Sequence, residues 1–118
     1  MAEKIILDVD TGSDDAVAIM TAILSPDIQL EALCSVAGNK GIDMTTENTL
    51  RVVQHLGSEV PVYRGCAQPL VKFLREDRLP KQIPGLKLEL EGKQVQMHAD
   101  YLHLPPAKIK EEPLPAPP

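Results

Sequence analysis

The first 70 residues alternate between short apolar runs and segments with helical periodicity. Apolar and β-branched residues dominate positions 4–10, 28–37 and 60–63, and each run closes on polar or glycine residues. Between these runs, apolar side chains recur at helical spacing over residues 14–24 and 43–56. Strands that alternate with helices are joined by right-handed crossovers and build a mostly parallel sheet. The alternation therefore predicts a Rossmann-like α/β fold with the order β-α-β-α-β.

Turn-forming residues separate the predicted elements. Ser13 is predicted to cap the first helix and Asp43 the second, because short polar side chains accept hydrogen bonds from the free amides of a helix start. Gly57 suits the position just after the second helix, where a left-handed backbone conformation is common.

The composition changes after residue 70. Eight of the 11 prolines lie at positions 80, 84, 105, 106, 113, 115, 117 and 118. Proline has no amide hydrogen and interrupts helices, so this spacing excludes a long helix. We predict that residues 1–70 are the N-terminal α/β part of a domain. Residues 71–118 are predicted to be an irregular, loop-rich segment that is partly disordered.

Four aspartates lie within eight residues where the first run meets the first helix, namely Asp8, Asp10, Asp14 and Asp15. Side chains alternate along a strand, so Asp8 and Asp10 are predicted to face the same side, with the other two nearby. Carboxylates this close repel one another, and a shared proton or a hard cation such as Ca²⁺ or Mg²⁺ would neutralise them. Ordinary acids at a helix start would explain Asp14 and Asp15, but not two aspartates ending an apolar strand.

Charge and composition restrict the classes of partner. The net charge of −5 argues against a nucleic-acid-binding protein, which needs a basic surface. No stretch approaches the roughly 20 apolar residues of a membrane span, and the N terminus lacks the pattern of a secretory leader. Cys34 and Cys66 lack metal-ligand spacing and are interpreted as reduced thiols. We expect a soluble, cytoplasmic protein that binds neither nucleic acid nor membrane.

Residues 8–16 resemble the D-x-D-x-G-x-D-D-A signature of the inosine-uridine-preferring nucleoside hydrolase family. The resemblance continues at residues 36–39, at Asn48 and at residues 61–65, and it extends to about residue 70. Residues 97–102 take the place of the family's H-G-x-x-G-L loop near the nucleoside, although both glycines are absent. The resemblance implies calcium-dependent hydrolysis of the N-glycosidic bond of purine or pyrimidine ribonucleosides, giving ribose and free base.

The resemblance also implies a role for each matching residue. Asp10 is expected to ligate Ca²⁺ and to act as the general base, and Asp15 is expected to be the second calcium ligand. Asp8 is expected to orient the loop that carries these ligands and not to contact the substrate. The residues expected to bind the nucleoside are Asp14, Asn39 and His98.

Family members are longer than this chain, and their later segments supply further metal and ribose ligands. Calcium prefers about 6 to 8 oxygen ligands, and two aspartates satisfy few of them. We therefore expect a chain that is truncated relative to the family fold, binds calcium weakly and is weakly active or inactive. The resemblance leaves a homo-oligomer open.

Two other interpretations stay open at the level of the sequence. A phosphatase of the haloacid-dehalogenase type also carries D-x-D after its first strand, with Asp8 then the nucleophile and Asp10 the acid/base. In that family the threonine lies two positions after the second aspartate, whereas Thr11 follows Asp10 directly. The other interpretation is a non-catalytic fragment or truncated isoform that binds a partner through an exposed sheet edge.

Overall fold

A parallel three-stranded sheet with two helices forms the N-terminal part of the chain. The computed structural model describes residues 1–69, 71, 87–90, 93–96 and 100–114. Its elements are β1 (Glu3–Val9), α1 (Ser13–Leu24), β2 (Ile28–Ser35), α2 (Ile42–His55), β3 (Val62–Arg64), β4 (Lys87–Leu90) and β5 (Lys93–Gln96). β1, β2 and β3 pair in parallel in that order, whereas β4 and β5 form a separate antiparallel pair. The predicted α/β architecture is confirmed.

The carboxyl ends of the three parallel strands lie level with one another. Ser35 at the end of β2 is in register with Val9 of β1 and with Arg64 of β3. The Val36 N–H also donates to the carbonyl oxygen of Val9 across 2.9 Å. The loops that follow β1 and β2 therefore leave the sheet side by side at one edge.

Both helices pack against the same face of the sheet. The buried core joins residues from all three strands and both helices, including Val9, Ile19, Leu33, Val52, Val53 and Val62. On the opposite face of β1, Ile6 is 65% exposed and Asp8 is also exposed. Within the described chain, β1 is therefore covered on one face only. Two right-handed crossovers between strands in sequential order place both helices on one side.

The N-terminal ends of the helices differ from the sequence prediction. Gly12 and Gly41, not Ser13 and Asp43, occupy the capping positions, and no side chain caps either helix. Each helix begins early enough to place the predicted cap inside its first turn. The Asp43 carboxylate instead accepts a hydrogen bond from Arg64 Nη1 at 2.9 Å, which ties α2 to the end of β3.

The C-terminal end of α2 follows the prediction. Gly57 adopts a φ of 63°, in the left-handed region that favours glycine. Its N–H donates to the carbonyl oxygen of Gln54, and the Ser58 N–H donates to that of Val53, both at 3.1 Å. These bonds satisfy the last carbonyl groups of the helix.

Residues 100–114 form an extended segment that runs along α2 and reaches the sheet. Within this segment, Leu102, Leu104 and Ala107 pack against the core. Near its far end, the Glu112 N–H donates to the carbonyl oxygen of Val62 at 2.7 Å. The backbone is irregular and most of its residues are exposed, but the three apolar side chains fasten the segment to the core. Neither this packing nor the antiparallel pair of β4 and β5 was predicted from the sequence.

Neither α1 nor α2 has the character of a membrane span. Within the described ranges, no helix combines the length and the apolar surface needed to cross a bilayer.

Candidate functional site

The loops after β1 and β2 meet at the carboxyl edge of the sheet. The Asn39 backbone N–H donates to Oδ2 of Asp10 at 3.0 Å, and the Asn39 Nδ2 donates to the backbone oxygen of Asp10 at 3.5 Å. Both residues are half-buried. Two of the residues singled out in the sequence, 29 positions apart, thus hold each other in place.

Gly38 allows this close approach. A Cβ atom built on Gly38 would overlap Oδ2 of Asp10 and would lie 2.9 Å from its Cγ. No larger residue fits at this position unless the carboxylate moves. The glycine therefore permits the position of the Asp10 side chain that the Asn39 N–H holds.

Asp15 lies beside Asp10 at the start of α1. Burial, a hydrogen bond with the Asp10 side chain and the negative charges of Asp10 and Asp14 together raise the pKa of Asp15 from 3.8 to about 6. Oδ2 of Asp15 is buried and has no hydrogen-bond partner in the described chain. A buried carboxylate oxygen without a partner is costly, so the site favours a proton or a cation at this point.

The pKa of Asp15 predicts how the stability of the metal-free chain depends on pH. The folded chain favours protonated Asp15, so this carboxyl group stabilises the fold most when it is protonated. Its contribution to the free energy of unfolding is fully present below about pH 4 and is lost as the pH rises through about 6. We expect the free energy of unfolding to fall by about 1 to 2 kcal/mol over this range. This is less than the shift in pKa alone implies, because water reaches the half-buried carboxyl group. Urea unfolding with EDTA at several pH values measures it.

Asp15→Asn should remove this loss, leaving the variant more stable than the wild type at neutral pH. Asp27→Asn makes the same chemical change at an exposed turn residue and should keep the wild-type pH dependence. If the free energy of unfolding changed with pH equally in the wild type and in Asp15→Asn, the pH dependence could not be assigned to Asp15.

The other predicted site residues are placed differently. Asp14 is exposed in the first turn of α1, and its negative charge helps to raise the pKa of Asp15. Asp8 is exposed on the open face of the sheet, and within the described residues no hydrogen bond or ion pair joins it to the cluster. His98 lies outside the described residues.

The sequence did not predict that buried polar residues, Asn48 among them, support the loop of Asp10. Oγ1 of Thr11 lies 2.7 Å from Oγ1 of Thr49, and Nδ2 of Asn48 donates to the carbonyl oxygen of Thr11 at 3.2 Å. All three residues are buried. The available signal was the pattern of α2, in which Asn48 and Thr49 lie on the same helical face as the apolar Val52.

The geometry of Asp10 and Asp15 fits a hard cation. Calcium and magnesium prefer carboxylate oxygens, and the unpartnered Oδ2 of Asp15 is an oxygen of this kind. Among the residues that the structure describes, no group of three or more His, Cys, Asp or Glu side chains is arranged to hold a metal. The described chain therefore offers these two acidic side chains, and other oxygen atoms or water would complete the coordination.

Comparisons with known proteins identify related sequences and structures. The profile of the family described as "Inosine-uridine preferring nucleoside hydrolase" matches residues 5–109. The chain is 42% identical over 76 residues to the non-specific ribonucleoside hydrolase RihC of Klebsiella pneumoniae (strain 342). The aligned region covers 64% of this chain and 25% of that protein. The match thus spans about a quarter of the length of the relative.

Two solved structures resemble the fold. The purine-preferring ribonucleoside hydrolase from Gardnerella vaginalis aligns with a TM-score of 0.65 at 26% identity, covering 94% of this chain and 33% of that one. The plant nucleoside hydrolase PpNRh1 aligns with a TM-score of 0.57 at 35% identity, covering 59% and 22%. These similarities do not favour the phosphatase interpretation. Because the profile matches most of the sequence and includes both loops of the site, the chain belongs to the inosine-uridine preferring nucleoside hydrolase family.

Proposed function

We propose that the loops after β1 and β2 form the ribose-binding and water-activating part of a site that hydrolyses the N-glycosidic bond of ribonucleosides. The products would be ribose and the free base. The observation that carries the proposal is the pair of adjacent, partly buried carboxylates of Asp10 and Asp15, held beside Asn39 at the carboxyl edge of the sheet. Ligands of parallel α/β proteins commonly bind at this edge.

The acids meet the electrostatic demand of the reaction. Cleavage of the N-glycosidic bond develops positive, oxocarbenium-like charge on the ribose. Fixed carboxylates close to that charge stabilise the transition state without having to reorient. Asp10 is well suited because the Asn39 N–H already holds one of its oxygens.

Each residue has a distinct proposed role. Asp10 accepts the proton of the attacking water as the general base. Asp14, which is exposed in the first turn of α1, accepts a hydrogen bond from a ribose hydroxyl. Asn39 assists in binding the ribose, and His98 is proposed to contact the nucleoside. Asp8, which is exposed on the open face of β1, is proposed not to touch substrate.

Asp10 and Asp15 are the proposed calcium ligands of this chain. When bound, calcium would neutralise the two carboxylates and lower the pKa of a coordinated water. Because two carboxylates satisfy few of the oxygen positions that calcium prefers, we propose that the 118-residue chain binds calcium weakly. A calorimetric titration that gave micromolar or tighter affinity would contradict this part of the proposal.

Ribose release is the direct test of the proposed function. At high protein concentration with millimolar calcium, we expect slow release of reducing sugar from a ribonucleoside, and EDTA should abolish it. The names of the relatives include both "non-specific" and "purine-preferring", so inosine and uridine are both to be assayed. Phosphate release from p-nitrophenyl phosphate without ribose release would instead favour the phosphatase. No ribose release from either nucleoside would count against nucleoside hydrolysis by this chain.

We also propose a cytoplasmic location. Cys34 and Cys66 are free thiols in the structure, as is usual for proteins of reducing compartments.

A further inference from the structure

Asn48 joins two segments that are distant in the sequence. Its side chain is fully buried, at 0% exposure. Nδ2 donates to the carbonyl oxygen of Thr11 at 3.2 Å and to that of Asp100 at 3.1 Å. Oδ1 accepts a hydrogen bond from the Leu102 N–H at 2.9 Å. The two amide hydrogens and the carbonyl oxygen of this side chain are therefore all engaged.

We propose that Asn48 is a positioning residue that couples the placement of residues 100–102 to the loop that carries Asp10. Thr11 follows Asp10 directly, so a displacement of the Thr11 carbonyl group moves the backbone of Asp10. The importance of Asn48 for catalysis rests on the proposed function, whereas its coupling of the two segments does not. Removal of the Asn48 amide would take a hydrogen-bond partner from the buried Thr11 carbonyl group and from the Leu102 N–H, which loosens both segments.

A second contact connects the same segment to the other loop of the site. Lys40, which follows Asn39, donates from Nζ to Oδ1 of Asp100 at 2.8 Å, and its side chain is only 10% exposed. Asp100 thus reaches the loop after β1 through Asn48 and the loop after β2 through Lys40. The start of the 100–114 segment therefore lies against both loops whose contact holds the Asp10 carboxylate.

Gln54 provides a matched control on the same helix. It also fastens the 100–114 segment, donating to the carbonyl oxygen of Pro106 at 3.1 Å and accepting from the Lys108 N–H at 2.6 Å. Among the residues that the structure describes, its side chain makes no hydrogen bond to the loop of Asp10. Loss of Gln54 therefore loosens the segment without acting directly on the site.

Amide hydrogen exchange of the full chain, measured by NMR without metal, tests the coupling. The Asn39 N–H reports on the Asp10 carboxylate, to which it donates. In Asn48→Ala, we expect the Asn39 and Leu102 amides to exchange about tenfold faster, relative to a core amide such as that of Val53. In Gln54→Ala, the Lys108 amide should exchange faster, while that of Asn39 stays within about twofold of the wild type.

Equal exchange of the Asn39 amide in the two variants would overturn the proposal, because Asn48 would then only support the fold. If Asn48→Ala does not fold, Asn48→Ser replaces it, since a hydroxyl is too short to join both segments, and the same comparison decides. The measurement needs neither calcium nor nucleoside. Absence of ribose release would therefore count against the proposed function, while the amides alone would decide the role of Asn48.

Discussion

Asp10→Asn is expected to reduce the slow calcium-dependent ribose release by about tenfold or more, to the level seen with EDTA. Asparagine keeps an oxygen that can accept the hydrogen bond from the Asn39 N–H, so the loop should keep its conformation. The substitution removes the basic oxygen that would accept the proton of water and one of the two negative charges available to calcium. The reducing-sugar assay with inosine and uridine measures the loss, and circular dichroism verifies the fold.

The control for this variant is Asp27→Asn, which makes the same chemical change at an exposed residue between α1 and β2. Its ribose release should equal that of the wild type. Near-normal turnover by Asp10→Asn would exclude Asp10 as the base. A loss of the same size in Asp27→Asn would mean that the assay follows overall charge or stability rather than the site.

The order of the parallel strands and helices was predictable because it depends on local signals. Apolar runs and helical periodicity specify the element type, and right-handed crossovers specify the parallel pairing. Gly57 marked the end of α2 because few other residues adopt its positive φ. The helix starts were less predictable, since Asp43 has an alternative partner in Arg64 that only the folded chain brings close.

The pairing of Asp10 with Asn39 lay within reach of the sequence, because polar residues that follow neighbouring parallel strands meet at one edge of the sheet. The role of Asn48 was not predictable in this way. Its hydrogen bonds span 37, 52 and 54 residues. Such distant contacts leave no local periodicity, and the irregular backbone of residues 100–114 gives none either. The same limit applies to the open face of β1, where the apolar run alone did not reveal that Ile6 stays exposed.

Gly38→Ala is the second substitution for which we expect a large effect. The new methyl group would overlap Oδ2 of Asp10, and backbone and carboxylate cannot both keep their positions. The carboxylate must rotate or move away from the Asn39 N–H, which separates it from Asp15. We therefore expect calcium affinity to fall by about tenfold to a hundredfold, since metal sites tolerate displacements of only a few tenths of an ångström. Ribose release should fall with it.

Gly41→Ala is the matched control, because it adds the same methyl group three residues later. A Cβ on Gly41 meets no atom within 4 Å, and its φ of −64° suits any residue. Calcium titrations followed by amide NMR shifts can measure weak affinities in both variants and in the wild type. Gly41→Ala should retain the wild-type affinity. If Gly38→Ala also retains it, the Asp10 carboxylate can move without loss of binding, and close packing against Gly38 is then not what positions the metal ligand.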